Sequence, residues 1–230
     1  MLTVDVGLDE SHEYAMGISV GEIIQNVHGR KSGAVAATVD GQEVDLSHEL
    51  TSDCSVRPIL GNSDEGLYIL RHSCAHLLAQ VVLEFFPDAK PTIGPPIENG
   101  FYYDFHMSPI SEEDLRAIEK RMKALVKQNL KVEREEHDNA SLREMFAHNV
   151  FKIEIMDDKI GEGNGSSVYR QGDFVDLCRG PHVPSTSHLR WFKLTSMSTA
   201  FWRADSTRES LVRIYGMCYA SKEDLQARQT

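Results

Sequence analysis

His72 and His76 stand four residues apart in RHSCAHLLAQ, and Cys178 and His182 stand four apart in DLCRGPH. The first pair lies in a stretch from Leu67 to Phe86, bounded by Gly66 and Pro87, whose apolar pattern predicts a helix. Positions i and i+4 share a helix face, so both imidazoles point the same way. The second pair sits in a Gly-Pro loop, where a backbone turn can bring a thiol and an imidazole together. About a hundred residues separate the pairs, so a shared site requires a fold that closes them onto each other. Three imidazoles and one thiol make a complete tetrahedral ligand set for zinc. They can equally surround a water whose proton an imidazole accepts. Either pair alone is a weak signal, because HxxxH lacks the glutamate of a zinc-protease helix and CxxxH recurs by chance.

Composition narrows the class. With 230 residues, 41% hydrophobic and 26% charged, the chain suits an ordinary globular protein of one large or two smaller domains. No stretch approaches the twenty or so apolar residues of a membrane span. The opening MLTVDVGLDESHEY lacks the basic region and apolar core of a secretory signal. Four irregularly spaced cysteines (Cys54, Cys74, Cys178, Cys218) do not form a disulfide framework and point to a reduced, cytoplasmic setting. A net charge of −11 argues against broad electrostatic capture of nucleic acid. A local groove or a neighbouring domain would have to hold a polyanionic substrate.

The chain divides near residue 62, at the turn-rich GNSDEG run. Before it, strands are expected at Leu2–Val6, Glu13–Ile18, Gly33–Val39, Glu43–Leu46 and Val56–Leu60, with Asp40-Gly41 as a hairpin turn. A short helix, Val20–Val27, is capped by Ser19. This order around one helix resembles a ubiquitin-like β-grasp unit. Beyond residue 62 come the histidine helix and an aromatic strand ending IGPPIENGFYYDF. A helix from Glu112 to Asn129 follows, with Ser111 and Asp114 as its capping box. Lys131–Glu136 reads as an edge strand, Ser141 as the cap of a short helix to His148, and Val150–Met156 as a strand or helix edge. Gly161–Ser167 reads as a loop. Further strands are expected at Val168–Arg170, Phe174–Leu177, Trp191–Leu194, Ala200–Arg203 and Leu211–Tyr219. The polar helical start Ser221–Thr230 looks like a cut point. The fold class is therefore α+β in two domains, 1–62 and 63–230.

Other chemistry-bearing residues are less distinctive. Lys152 interrupts the apolar run FKIEI, where a lysine usually lies at an edge with its head in water. Asp176 shares a strand face with Cys178. Tyr102 and Tyr103 alternate, so only one can face a site. Ser73 and Cys74 lie on other faces of the histidine helix and read as packing. His106 and His188 have no partner at useful spacing.

RHSCAHLL, IGPPIENGFYYDF, VDLCRGPHVP, FWRADS and RIYG, in that order, resemble the N-terminal half of bacterial threonyl-tRNA synthetases across nearly the whole chain. The resemblance implies a TGS (β-grasp) domain followed by an editing domain of the threonyl/alanyl type. It implies hydrolysis of mischarged seryl-tRNA(Thr) at the 3′ adenosine ester, with the tRNA acceptor end as partner. It matches His72, His76, Cys178 and His182 to the family's signature, Lys152 to its editing lysine, Asp176 to the carboxylate holding the seryl amino group, and Tyr103 to a pocket wall. It implies editing without metal, although the same four residues can hold zinc as alanyl relatives do. A chain this long has no room for the aminoacylation core, so it is expected to be a monomeric piece of a homodimeric enzyme. A non-catalytic RNA-binding module with a structural zinc, or a zinc-dependent alanyl-type editor, are the competing readings. The chain departs from the family at Ser196–Ala200 and at Ala204, where glycine is usual and permits backbone angles that other residues resist.

Overall fold

The computed structural model describes residues 1–7, 10–161 and 164–228. Parts of two expectations, the loop Gly161–Ser167 at 162–163 and the terminal segment at 229–230, lie outside the described residues. No described helix is long and apolar enough to cross a membrane.

The first sheet contains β1 (Leu2–Gly7), β2 (Glu10–Tyr14), β3 (Ala34–Val39), β4 (Gln42–Val44) and β5 (Cys54–Leu60), in the order β2-β1-β5-β3-β4. β1 and β5 run parallel and the other pairs antiparallel. Helix α1 (Val20–His28) starts at Ser19, whose side chain forms a reciprocal capping box with Glu22. Its Val20, Ile23 and Ile24 bury against Leu2, Val4, Val6, Ala37 and Val56. Asp40 and Gly41 both take positive φ, as a two-residue hairpin turn between β3 and β4 requires. The expected strand Glu13–Ile18 is corrected: β2 pairs with β1 from Glu10 to Tyr14, and the chain then turns away.

Helix α2 (Asp64–Phe85) starts three residues before the expected Leu67, because Ser63 caps it by accepting the Gly66 N–H at 3.1 Å. It is buried on nearly every face from Ile69 to Val82. Such a helix sits inside a core rather than on one. One side meets Val35, Ala36 and Ile59 of the first sheet, and the other meets Phe101, Tyr103, Phe105 and Ile214 of a second. That second sheet is built from β6 (Lys90–Pro91), β7 (Pro96–Ile97), β8 (Gly100–His106) and, later in the chain, β12 (Trp191–Phe201) and β13 (Ser210–Tyr219). Helix α3 (Glu112–Gln128) begins at the Ser111–Asp114 capping box and ends on a left-handed Asn129. Its Leu115, Ile118, Met122 and Leu125 complete the core.

A three-stranded sheet, β11-β10-β9, forms the remaining wall from β9 (Val132–His137), β10 (Ser166–Gln171) and β11 (Phe174–Leu177). Helices α4 (Asn139–Met145) and α5 (Val150–Lys159) cross between β9 and β10, and α6 (Lys222–Ala227) follows β13. Three local expectations are corrected here, and one left open between strand and helix is decided. Asp138, not Ser141, caps α4, by accepting the Ser141 N–H at 2.8 Å. The run from Val150 is a helix, because Asn149 accepts the Phe151 and Lys152 N–H groups and starts it. β10 begins at Ser166, inside the expected loop. The two strands expected within 191–203 are one, since β13 pairs with β12 from Trp191 to Phe201, across a bulge at Leu194/Ser196. Trp202–Ala204 then makes a tight turn.

Candidate functional site

The fold brings the two pairs together. α2 presents His72 and His76 with ring centroids 5.2 Å apart, and the loop after β11 lays Cys178 and His182 against them. Cys178 Sγ lies 3.6 Å from His72 Nε2 and 3.1 Å from His182 Nε2. The His182 ring is 4.5 Å from that of His72 and 4.2 Å from that of His76. One nitrogen or sulfur from each of the four falls within 4.8 Å of all the others.

A second cluster adjoins the first. Lys152, in the first turn of α5, is 4% exposed, so it is not the solvent-reaching edge residue that its apolar flanks favour. Its Nζ lies 2.6 Å from Asp176 Oδ1 and donates to Tyr103 Oη at 3.2 Å. Tyr103 donates its hydroxyl to Asp176 Oδ2 at 2.5 Å, and His76 Nε2 stands 3.6 Å from the same oxygen. The Leu177 N–H also donates to Oδ1. Asp176 is thus engaged by protein groups at both oxygens. Tyr103 faces this cluster, while Tyr102 turns to the other face of β8, under the Arg213 guanidinium.

His72, His76, Tyr103, Lys152, Asp176 and Cys178 line one cleft of about 390 Å³. Tyr68, Ile93, Pro95, Pro96, Lys159 and Arg179 also border it. His182 does not line it: the ring stands behind, 1% exposed, touching the other two imidazoles.

Burial sets the protonation states. It pushes His72 down to about 3 and His76 to about 4, with neighbouring positive charge adding to the effect and Asp176 opposing it. His182 is driven well below the usual histidine value, again by burial first. All three are neutral at pH 7 and keep a lone pair for hydrogen bonding or ligation. Burial pushes the Cys178 thiol up to about 12, so it keeps its proton. Burial alone would raise Asp176, but Lys152 and His76 outweigh it and hold the carboxylate below its ordinary value.

The four-residue set fits a metal ion. Zinc bonds of about 2.0–2.3 Å give tetrahedral edges of about 3.3–3.8 Å, within a small closure of the observed spacing. Neutral imidazoles suit ligation, whereas Cys178 would have to lose its proton.

Sequence reasoning missed two supporting residues. Ser73 is not mere packing: its Oγ lies 2.9 Å from His182 Nδ1 and accepts the Val183 N–H at 3.2 Å. It holds the loop against α2 and orients the His182 ring. Asn149, 2% exposed, caps α5 and donates to the Pro91 carbonyl at 2.8 Å, fixing the turn that carries Lys152. An asparagine directly before an apolar run was a readable capping signal. Cys74 is fully buried in the core, His106 packs on Phe151, and His188 bonds to Ser185.

Known proteins resemble this chain in sequence. The family described as "Threonyl and Alanyl tRNA synthetase second additional domain" matches residues 166–215, from β10 through the Cys178 loop into β13. The chain is 48% identical to a threonine–tRNA ligase of Azoarcus sp. (strain BH72), over 91% of this chain and 33% of the relative. It is 44% identical to that of Pelobacter propionicus over 99% of this chain and 36% of the relative. The ligase of Thermoplasma acidophilum is 46% identical over 86% of this chain and 29% of its own. The chain spans about a third of the length of the curated relatives it matches.

Proposed function

We propose, for a chain whose kin are the threonyl-tRNA synthetase family, an editing role: hydrolysis of the ester joining mischarged serine to the 3′ adenosine of threonine tRNA. The observation that carries this reading is the gathering of His72, His76, Lys152, Asp176, Tyr103 and Cys178 around one cleft. Residues 1–62 are read as a TGS-type β-grasp domain and 63–230 as the editing domain.

The reaction adds water to the ester carbonyl carbon and breaks its bond to the 3′ oxygen. Serine leaves as a carboxylate, one proton of the water goes to the 3′ oxygen and the other is released to solvent. An imidazole held near 3 is too weak a base to keep a proton at neutral pH. His72 therefore orients the water by accepting its hydrogen bond and relays the proton toward the leaving oxygen. Lys152, buried beside the cleft, supplies positive charge where the carbonyl oxygen becomes negative. Asp176 is the only acid among the described residues lining the cleft, so a seryl ammonium would meet it. Lys152 already occupies one of its oxygens, so substrate and lysine share the carboxylate. His76, Cys178 and His182 shape the wall behind the ester.

The need for such a site follows from recognition limits. Serine differs from threonine by one methyl, worth about 1–3 kcal/mol of discrimination, so a synthetic site alone admits it. A cleft that excludes that methyl removes what was admitted.

His72, His76, Cys178 and His182 would hold a zinc ion, which would supply Lewis-acid polarisation. We infer hydrolysis without it, because Lys152 already places a cation beside the cleft. The donor set also supports a second reading, an RNA-binding module with a structural zinc. Deacylation of seryl-, glycyl- and threonyl-tRNA, with metal analysis of the same protein, decides among these. Chelator-resistant hydrolysis of seryl-tRNA supports the proposal. Stoichiometric zinc without hydrolysis supports the binding module. His72→Ala is expected to abolish seryl-tRNA hydrolysis with the circular-dichroism spectrum and melting midpoint retained; undiminished turnover would sink the role given to His72.

A further inference from the structure

The loop carrying Cys178 and His182 is anchored on two sides. On one, Ser73 of α2 holds the His182 ring and the Val183 N–H. On the other stands Asp45, which follows β4 in the first sheet and lies far from the cleft in sequence. Its Oδ1 accepts the His182 N–H at 2.8 Å, and its Oδ2 accepts the Tyr169 hydroxyl at 2.7 Å. Tyr169 belongs to β10, directly opposite Asp176 of β11 in the sheet register. Its ring meets that of His182 edge-on at 4.4 Å. Gly180, at φ +74, passes so close that a Cβ there would sit 1.8 Å from the Tyr169 hydroxyl oxygen. One carboxylate thus fixes both the backbone of His182 and the tyrosine around which the loop is wrapped.

We propose that Asp45 is a positioning residue for the Cys178–His182 loop, which makes the first sheet a working part of the hydrolytic site. The inference rests on the editing function proposed above. Asp45 touches no reacting atom; it acts by holding His182, and through it Cys178, in register with His72 and His76.

The test uses the full chain and its Asp45→Ala, Asp45→Asn and Tyr169→Phe variants. The amide side chain in Asp45→Asn retains an oxygen for the His182 N–H and an N–H that can donate to the tyrosine oxygen. With preformed seryl-tRNA, Asp45→Ala is expected to lower kcat about tenfold or more, since a displacement near 1 Å at a site costs about that much or more. KM should change less than kcat, because Asp176 and Lys152 in the cleft are untouched. Asp45→Asn should recover kcat to within about threefold, and Tyr169→Phe should fall between the two. In 15N-correlated spectra the His182 amide proton should move upfield in Asp45→Ala and stay in Asp45→Asn. Wild-type kcat in Asp45→Ala, or equal loss in Asp45→Asn and Asp45→Ala, would overturn the positioning role. Should the wild-type chain hydrolyse no aminoacyl-tRNA, the editing reading fails instead. The spectra then decide alone: unmoved His182 and Cys178 signals in Asp45→Ala refute the anchor, and moved signals support it. If Asp45→Ala does not fold, the graded pair Asp45→Asn and Tyr169→Phe carries the same comparison.

Discussion

Ala204 and Arg203 close the turn after β12 in the left-handed region, at φ 57 and 55. Arg203 has compensation, with ion pairs to Asp158 and Glu154 and its guanidinium over Trp202. Ala204 has none of this, and a non-glycine residue held there costs about 1–2 kcal/mol. Part of that cost is offset in the unfolded chain, where glycine is the freer residue. Ala204→Gly is therefore expected to raise stability by about 0.5–1 kcal/mol, read as a higher urea midpoint at unchanged slope. The buried histidines set a second expectation. Above pH 6.5, folded and unfolded chains both carry them neutral. Between 6.5 and about 4 the unfolded chain binds protons that folded His72 and His76 exclude, so stability falls as pH falls. Each contributes about 1.4 kcal/mol per pH unit at most. With chelator present, the urea midpoint should drop between pH 6.5 and 5, and His76→Gln should flatten the slope; an identical slope would contradict this. The spacing of His72, His76, Cys178 and His182 was legible in the sequence, whereas Lys152, Asp176 and Tyr103 entered the site only through the family resemblance. Ser73 and Asp45 were not legible, because their site partners lie 109 and 137 residues away and long-range hydrogen bonds leave no periodicity.

At the scale of elements, β8 and β13 are pinned by a buried ion pair. Asp104, 2% exposed, receives both Arg213 Nε at 2.7 Å and Nη2 at 2.8 Å across a registered strand pair. The same guanidinium covers Tyr102. Removing it leaves an uncompensated buried carboxylate, so Arg213→Ala should cost about 3–5 kcal/mol in denaturant unfolding. Adding Asp104→Asn should recover part of that loss, and a double variant no better than the single would refute the account. Helices α1 and α3 were readable because capping boxes and apolar periodicity agree in each. α5 stayed open between strand and helix, because Val, Phe, Ile and Ile alternate as in a strand while Asn149 sets the helical start. β12 read as two strands because its polar middle, Thr195–Thr199, lacks apolar alternation, which a full-length partner renders unnecessary.

For the whole molecule, the expected α+β class holds, and the turn near residue 62 leads into Ser63, which starts α2. What the turn signals there did not show is that the core continues across it. Val35, Ala36 and Ile59 pack in one cluster with Leu70, Leu77 and Leu78 of α2 and Phe101 of the second sheet. The chain should accordingly melt in a single transition, with equal calorimetric and van't Hoff enthalpies. Two resolved transitions would show that the first sheet unfolds by itself. α2 adds a mechanical corollary. Its capped end is held at the first sheet, and His76 lies twelve residues along, about 18 Å away at 1.5 Å per residue. A rod of that length turns a tilt of about 5° at its base into about 1.6 Å of travel at the imidazole. The helix is a lever arm, and a tilt imposed at the first sheet moves the histidines midway along it.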